Sequence, residues 1–354
     1  MTDIYSQRRQ RLKKKIEKPD VDALLVLSPA NRYYLSGFEL HDPQCNESAG
    51  CLLLTPDDDL LFTDARYLDE GRKHFSEERI FVYSKDRYRQ IRECIKQRKI
   101  DRLGFEPQWM SHEFHASLSE ELEMVPLKGF VEDMRLIKDE SEIEKLRRSC
   151  ALNHKVFALM EQKSCLGLSE KEVAWEAEKL FRENGAQELS FAVIAAFGLN
   201  SALPHATPCD TMVLDNQPLL LDMGCRLDDY CSDQSRTFWM GSKEHDFFTR
   251  TKDLVRIAQD MAIAWIGPGK SIREAYNIAT GFFAEHGVEK HFTHSLGHGI
   301  GLETHEAPSL GPNAQGEFLP GMVITVEPGL YYSGWGGVRW EYMVLITEEG
   351  SEVL

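Results

Sequence analysis

No stretch of this sequence approaches the roughly 20 consecutive apolar residues that a membrane-spanning helix requires. Its opening residues, Met1 to Arg9, run into charged sequence without the apolar core of a signal segment. A soluble, cytoplasmic protein with no membrane partner is the expectation. Long basic runs are also missing: Asp and Glu number 57 against 41 Lys and Arg, for a formal charge of −16. That balance repels polyanions, so nucleic acid and anionic lipid are excluded as natural partners. The eight cysteines, at 45, 51, 94, 150, 165, 209, 225 and 231, never adopt Cys-x-x-Cys spacing. A zinc knuckle is therefore excluded and free thiols are expected. There is no low-complexity tract and no short-period repeat. Gly297, Gly299 and Gly301 cluster without GxGxxG spacing, which argues against a nucleotide phosphate loop.

What the sequence does hold is enough apolar material for two domains: 354 residues, 42% of them hydrophobic. Short apolar runs at 23–27, 51–54, 60–62 and 80–83 are punctuated by Ser28-Pro29, Pro56 and the triple aspartate 57–59. They read as strands of a small α/β domain. Near residue 134 the pattern changes. Asp139 with Glu142 forms a capping-box signature that opens an amphipathic helix. Two further boxes, Ser169 with Glu172 and Ser271 with Glu274, open helices expected to end at Gly185 and Gly287. Strands lie between and after those helices, so residues 135–354 are expected to form an α+β domain, preceded in the chain by an α/β domain of residues 1–134.

Five residues of metal-ligand type fall in the second part: Asp222, Asp233, His298, Glu327 and Glu341. Leu219 to Gly224 reads as a buried strand and Tyr230 to Phe238 as its return. A hairpin centred between Leu227 and Asp228 would set Asp222 opposite Asp233, with Cβ atoms about 5 Å apart. Like charges placed that way are destabilising unless a cation lies between them. Met322 to Glu327 and Val338 to Ile346 form a second strand pair across an irregular, glycine-rich connection that begins at Pro328-Gly329. A hairpin centred on Gly334 would set Glu327 opposite Glu341. The glycines flanking His298 leave room for a backbone to approach closely. Four carboxylates balance two divalent ions, with neutral imidazole adding nothing. Oxygen ligands with one nitrogen favour Mn²⁺ or Co²⁺, with Fe²⁺ and Zn²⁺ as alternatives. Two such ions about 3.5–4 Å apart can share and activate a water, which is hydrolytic chemistry.

These segments resemble the metallopeptidases of the pita-bread fold. The Asp222/Asp233 spacing, His298 within HxxGHGxGxxxHE, Glu327 in Thr-Val-Glu-Pro-Gly-Leu-Tyr and Glu341 in Gly-Val-Arg-Trp-Glu carry the likeness. Within that group the chain is similar to Xaa-Pro dipeptidases (prolidases) and aminopeptidase P. Asn31 to Phe38 resembles the creatinase-type N-terminal domain, and Arg135 to Lys138 the opening of the catalytic domain. The resemblance implies that Asp222 binds one ion through both oxygens, Asp233 and Glu341 bridge, and His298 with Glu327 completes the second. A bridging hydroxide would attack the scissile carbonyl while Glu327 relays a proton. His205 matches a histidine on the substrate side. His294 and His305 match two that bind substrate or stabilise the oxyanion. Arg339 matches a supporting arginine and Tyr331 an active-site tyrosine of aminopeptidase P; both are assigned to substrate binding. A homodimer is implied as well, with segment 37–42 as the candidate loop reaching a neighbour's site.

The expected activity is cleavage before proline in Xaa-Pro dipeptides, with aminopeptidase P action on Xaa-Pro-Yaa peptides as the alternative. Two departures bear on the choice. Ser309 stands where some prolidases place an arginine suited to a dipeptide carboxylate, and Tyr342 stands where relatives often have Asp. A creatinase-like amidinohydrolase and a non-catalytic peptide-binding module both fit less well, because those branches do not keep the ligand set.

Overall fold

The computed structural model describes residues 3–42 and 47–354, and the chain divides into two compact units, 1–135 and 136–354. The first unit is built on one six-stranded sheet in the order Ile80–Tyr83, Asp59–Asp64, Gly50–Leu54, Ala23–Val26, Arg102–Phe105, Glu123–Pro126. Its central strands Ala23–Val26 and Gly50–Leu54 are buried along their whole length, which is why they read as unbroken apolar runs. The last two strands have no such signature: Arg102–Phe105 carries an arginine and a glycine, and Glu123–Pro126 is a half-exposed edge ending in proline. The helix Pro29–Ser36 starts on the Ser28 side chain, which accepts from the Asn31 amide, and stops at Gly37 with φ 76°. Beyond it Phe38 and Leu40 are buried, and Arg32 donates to the Glu39 carbonyl at 2.7 Å and to the Asp42 carboxylate at 2.9 Å. Segment 37–42 is thus fastened to its own unit. The seven described cysteines are free thiols; Cys45 lies outside the described residues.

In the second unit all strand pairs are antiparallel. The order of elements runs two helices then strands, twice over. Helices Glu140–Gln162 and Glu170–Glu183 bury Val156, Val173 and Phe181 with Leu219 and Leu221 of the strand Gln217–Met223. Helices Asp246–Trp265 and Ile272–Glu285 bury Val255, Ala279 and Phe283 with Ile324 and Val344 of the strands Val323–Val326 and Tyr342–Ile346. The capping boxes at Asp139/Glu142 and Ser169/Glu172 both form. The third does not: the Ser271 side chain caps nothing, and the helix start is tied instead by the Ile272 amide donating to the Gly316 carbonyl. Gly185 and Gly287 come just after their helices at φ 99° and 67°. Among the described residues no helix is long and apolar enough to cross a membrane.

Strand register delivers the acidic residues, and one register differs from expectation. Leu227 pairs with Tyr230 and Asp222 with Ser235. The turn is centred between Asp228 and Asp229, one residue later than the sequence pattern suggested, and Asp222 is not directly opposite Asp233. Both turn aspartates adopt positive φ, 50° and 71°, the geometry of a tight two-residue hairpin. The shift moves the partner by two positions, so side-chain facing is kept and the two aspartates become diagonal neighbours. The second register is as expected: Val326 pairs with Tyr342 and Gly329 with Arg339, bracketing Glu327 and Glu341. The connection is more regular than expected, because Gly329–Tyr332 and Gly336–Arg339 are themselves paired strands.

The two serine caps make a paired prediction. Ser169→Ala should lower stability by about 1 kcal/mol, whereas Ser271→Ala should stay within about 0.5 kcal/mol of the parent. Urea midpoints of the two variants measure the contrast, and equal losses would contradict it.

Candidate metal centre

Asp222 lies near the end of a strand buried along most of its length, and Asp233 immediately precedes the returning strand Gln234–Met240. Glu327 and Glu341 occupy a gap between two ladders, so their amides bond elsewhere: Glu327 to the Leu296 carbonyl at 2.8 Å and Glu341 to the Ser235 carbonyl at 3.1 Å. The second bond ties one hairpin to the other. His298 enters between Gly297 and Gly299, and neither glycine could carry a side chain. A Cβ on Gly297 would lie 2.0 Å from the Thr325 carbonyl oxygen, and one on Gly299 2.0 Å from that of Ala307.

The resulting geometry gathers donor atoms. Asp233, His298 and Glu341 each offer an atom within 4.8 Å of the others. His298 Nε2 stands 3.4 Å from Glu327 Oε1 and 3.7 Å from Asp233 Oδ2. Its Nδ1 lies 3.0 Å from the Gly299 carbonyl, a contact that assigns the proton to Nδ1 and leaves the Nε2 lone pair facing the carboxylates. Asp222 Oδ2 accepts from Arg339 Nη2 at 2.6 Å, and Glu341 Oε2 accepts from the Ser235 hydroxyl at 2.8 Å. The other oxygens, Asp222 Oδ1, Asp233 Oδ1 and Glu341 Oε1, are buried without a hydrogen-bond donor. Three orphaned acceptors at one place cost several kcal/mol, and they fit hard divalent cations with oxygen-rich coordination.

Burial dominates the electrostatics. It raises the carboxyls of Asp233 and Glu341 well above the usual range, with mutual repulsion among the acids adding to it. Glu327 is pushed up to about 8, by burial first. Burial holds His294 and His298 down to about 4, so both are neutral near pH 7. Tyr331 is raised to about 12 by the same cause and stays a phenol.

A second network stands beside the acids. Arg339 Nη1 donates to the Tyr331 hydroxyl at 2.8 Å and to the Pro204 carbonyl at 3.1 Å, and Nε to the Ser235 hydroxyl at 2.7 Å. The Tyr331 hydroxyl is 2.9 Å from His294 Nε2, and His294 Nδ1 is 2.7 Å from the Ser295 carbonyl. All of it opens on a cavity of about 670 Å³ lined by the five ligand candidates, His205, His294, His305 and Arg339. His205 and His305 are exposed at its edge, and the His305 ring meets that of His298 edge-on at 4.2 Å. Tyr331 is not in the lining; it braces His294 and Arg339 from behind.

Several contributors carry no sequence signal. Phe191, Ala192 and Ile194 form an apolar wall of the cavity, yet in sequence they look like any core strand. The Thr325 hydroxyl accepts from the His298 amide at 3.1 Å and lies 3.3 Å from Glu327 Oε1. Lys138 forms a buried pair with Glu306 at 3.3 Å. Tyr342, where an aspartate was expected from the resemblance, now has a physical role. Its ring and that of Trp340 flank Arg236, with the guanidinium carbon 4.4 Å and 4.8 Å from the centroids. Arg236 in turn donates to the carbonyls of Ser235 and Glu341. An aromatic clamp thereby holds a cation that grips the backbone at Glu341.

Known proteins resemble this chain in sequence and in fold. The sequence pattern of metallopeptidase family M24 matches residues 144–348, and that of the creatinase/prolidase N-terminal domain matches residues 8–137. The Xaa-Pro dipeptidase of Pyrococcus horikoshii is 31% identical across 99% of this chain and 97% of its own length. The structure of the Xaa-Pro dipeptidase from Bacillus anthracis, 32% identical, superposes with a TM-score of 0.92 over 99% of this chain and 97% of that one. The X-Pro aminopeptidase of Thermotoga maritima, 29% identical, superposes at 0.88 over 98% and 96%. The α+β fold, a pita-bread catalytic domain preceded in the chain by a creatinase-type N-terminal domain, is common to them.

Both the electrostatics and the clamp are open to test. In the metal-free protein, a Glu327 carboxyl raised to about 8 binds a proton that the unfolded chain has released by about pH 5. Its contribution is fully present below the unfolded value and is lost as pH rises through about 8. His294 and His298 act oppositely, but only below their ordinary 6.5. The thermal midpoint of chelator-treated protein should therefore fall between about pH 6.5 and 8, and Mn²⁺ should abolish the fall; a flat chelated profile would count against it. For the clamp, Tyr342→Ala should cost about 1–2 kcal/mol while Tyr342→Phe costs little, as read from denaturant midpoints.

Proposed function

The chain belongs to metallopeptidase family M24, and from that premise we propose that it hydrolyses the peptide bond preceding proline with two divalent cations, Mn²⁺ or Co²⁺ first among them. The observation that carries the metal reading is the trio of buried, donorless oxygens on Asp222, Asp233 and Glu341. Asp222 would serve one ion and His298 with Glu327 the other, while Asp233 and Glu341 would be shared. When bound, such a pair lowers the pKa of a water between the ions and polarises the carbonyl it meets.

The chain's own groups do the rest. Glu327, beside the Thr325 hydroxyl, accepts and returns the proton that moves during attack. His205 and His305, exposed on the cavity, supply N–H donors to the substrate carbonyl and to its developing negative charge. His294 has both ring nitrogens engaged, and with Tyr331 and Arg339 it fixes the orientation of Asp222. Phe191, Ala192 and Ile194 offer an apolar surface for the proline ring. A tertiary Xaa-Pro amide has no N–H to recognise, so selectivity has to come from such a surface. Residues 1–134 act as the N-terminal domain and 135–354 as the catalytic domain of a cytosolic homodimer.

Xaa-Pro dipeptides are the leading substrate class, being the activity named for several relatives. Aminopeptidase P action is the second reading, favoured by Ser309 at the cavity wall. Elemental analysis after metal loading should find about two ions per chain, and Asp233→Ala should lose at least one ion and the activity with it. With Mn²⁺ or Co²⁺ supplied, proline-containing peptides such as Ala-Pro and Ala-Pro-Ala should be cleaved and Ala-Ala spared. A metal-loaded protein that cleaves neither proline peptide overturns the assignment.

A further inference from the structure

His205 sits on a loop, not on a regular element. The strand Ile194–Phe197, whose first residue pairs with Asp222, runs into the turn Gly198–Ala202, and residues 203–210 follow as turns and irregular chain. A side chain carried by such a stretch keeps its place only if the stretch is tied from outside. The imidazole is itself exposed on the cavity, so packing does not fix it.

One buried carboxylate ties both ends of that loop. Glu170 is the first residue of the helix Glu170–Glu183 and is fully buried. Its Oε1 accepts from the Phe197 amide at 2.7 Å, while its Oε2 accepts from the Asn200 side-chain amide at 2.7 Å and from the Cys209 amide at 2.9 Å. The Cys209 thiol adds a weaker contact to Oε2 at 3.1 Å. The start and the end of the 197–209 loop therefore meet on a single side chain. Burying a carboxyl group is costly unless its oxygens are satisfied, and each of these donors belongs to the loop that carries His205. The helix start reinforces the closure, since the Glu170 amide donates to the Thr211 carbonyl at 3.0 Å and the Lys171 amide to the Cys209 carbonyl at 3.2 Å. Midway along, the loop is tethered to the hairpin of the metal centre. The Gly337 amide donates to the Ser201 hydroxyl at 2.9 Å, and Arg339 Nη1 to the Pro204 carbonyl at 3.1 Å. Pro204 immediately precedes His205, so the histidine hangs between a tether beside it and a clamp at the base of its loop.

Resting on the proline-peptidase reading above, we propose that Glu170 is a positioning residue for the hydrolysis: by clamping both ends of the 197–209 loop it fixes where the His205 imidazole meets the substrate carbonyl. Among the described residues that line the cavity Glu170 is absent, and it acts only through the histidine.

A double-mutant cycle on the metal-loaded full chain, with Ala-Pro and Ala-Pro-Ala as substrates, tests the assignment. Glu170→Gln keeps the shape but turns an amide donor toward other donors. It should lower kcat about tenfold or more, with KM changed less than about threefold and metal content kept at about two ions per chain. In a His205→Ala background the same substitution should cost less than about twofold, because no imidazole is left to misplace. Asn200→Ala removes one donor from a half-buried position; it should give a smaller loss with the same non-additivity, and it serves if Glu170→Gln does not fold. Chymotrypsin digestion of the metal-free protein supplies a readout apart from activity. Leu199 is exposed within the loop, and the bond after it should be cut about tenfold faster in Glu170→Gln than in the parent. Equal kcat losses with and without His205, or unchanged digestion at Leu199, would overturn the positioning role and leave Glu170 a residue of the fold. A parent protein that cleaves neither peptide overturns the hydrolytic reading and the catalytic role with it, whereas the digestion still reports whether Glu170 clamps the loop.

Discussion

The second unit is organised around a repulsion. Carboxylates that water would keep apart are drawn into one buried place, with atoms of Asp233 and Glu341 within 4.8 Å. At an effective dielectric of about 20, two unit charges at that separation repel by roughly 3 kcal/mol, before the cost of removing each from water. The site itself offsets only part of this: Ser235 and Thr325 are neutral, and the one cation, Arg339, hydrogen-bonds Asp222 alone among the acids and eases the others only through space. The rest has to come from outside, from two helix-on-sheet cores that would form whatever the acids did. A binding site held open by surrounding packing can be strongly attractive to cations because it is unfavourable without them.

Holding the acids in place requires backbone rather than side-chain restraint. All four sit at strand ends or in the gap between ladders, and the amides of Glu327 and Glu341 are spent on Leu296 and Ser235. Ser235 is the joint between the hairpins. Its carbonyl takes the Glu341 amide, and its hydroxyl donates to the Glu341 carboxylate and accepts from Arg339. Arg236, one residue on, reaches the carbonyls of Ser235 and Glu341 from inside an aromatic clamp. Two arginines adjacent to acidic ligands thus have different tasks. Arg339 engages a carboxylate, while Arg236 engages only backbone and rings and adds no competitor for the anionic atoms.

How much of this could be read from the sequence depends on whether a residue's role is set locally. The Glu327/Glu341 register was legible because the glycines around Gly334 mark a single turn centre. The Asp222/Asp233 register was not, because Asp228 and Asp229 both take positive φ, a conformation that two successive aspartates between Leu227 and Tyr230 do not announce. Ser169 and Ser271 look alike in sequence, yet only the first caps its helix, since residue 316, far along the chain, decides the second. The apolar wall at Phe191 to Ile194 was hidden for a different reason. Substrate surface and core are made of the same residues, and only the fold says which side of the strand meets an open cavity.

Charge accounting links the centre to its selectivity on the proposed reading. A site whose acids are balanced by bound ions, and whose one arginine is consumed in bracing, has no residual field with which to choose among substrates. Recognition then falls to shape and to neutral hydrogen bonds: the apolar wall for a ring and exposed imidazoles for a carbonyl. The histidines fit that scheme. Burial keeps His294 and His298 uncharged, so neither adds a positive charge that would repel cations or attract a free carboxylate. The same burial that makes the acids costly keeps their neighbours neutral. One physical cause, exclusion of water from the place where two hairpins meet, therefore sets both the cost of the acids without cations and the neutrality of the histidines beside them.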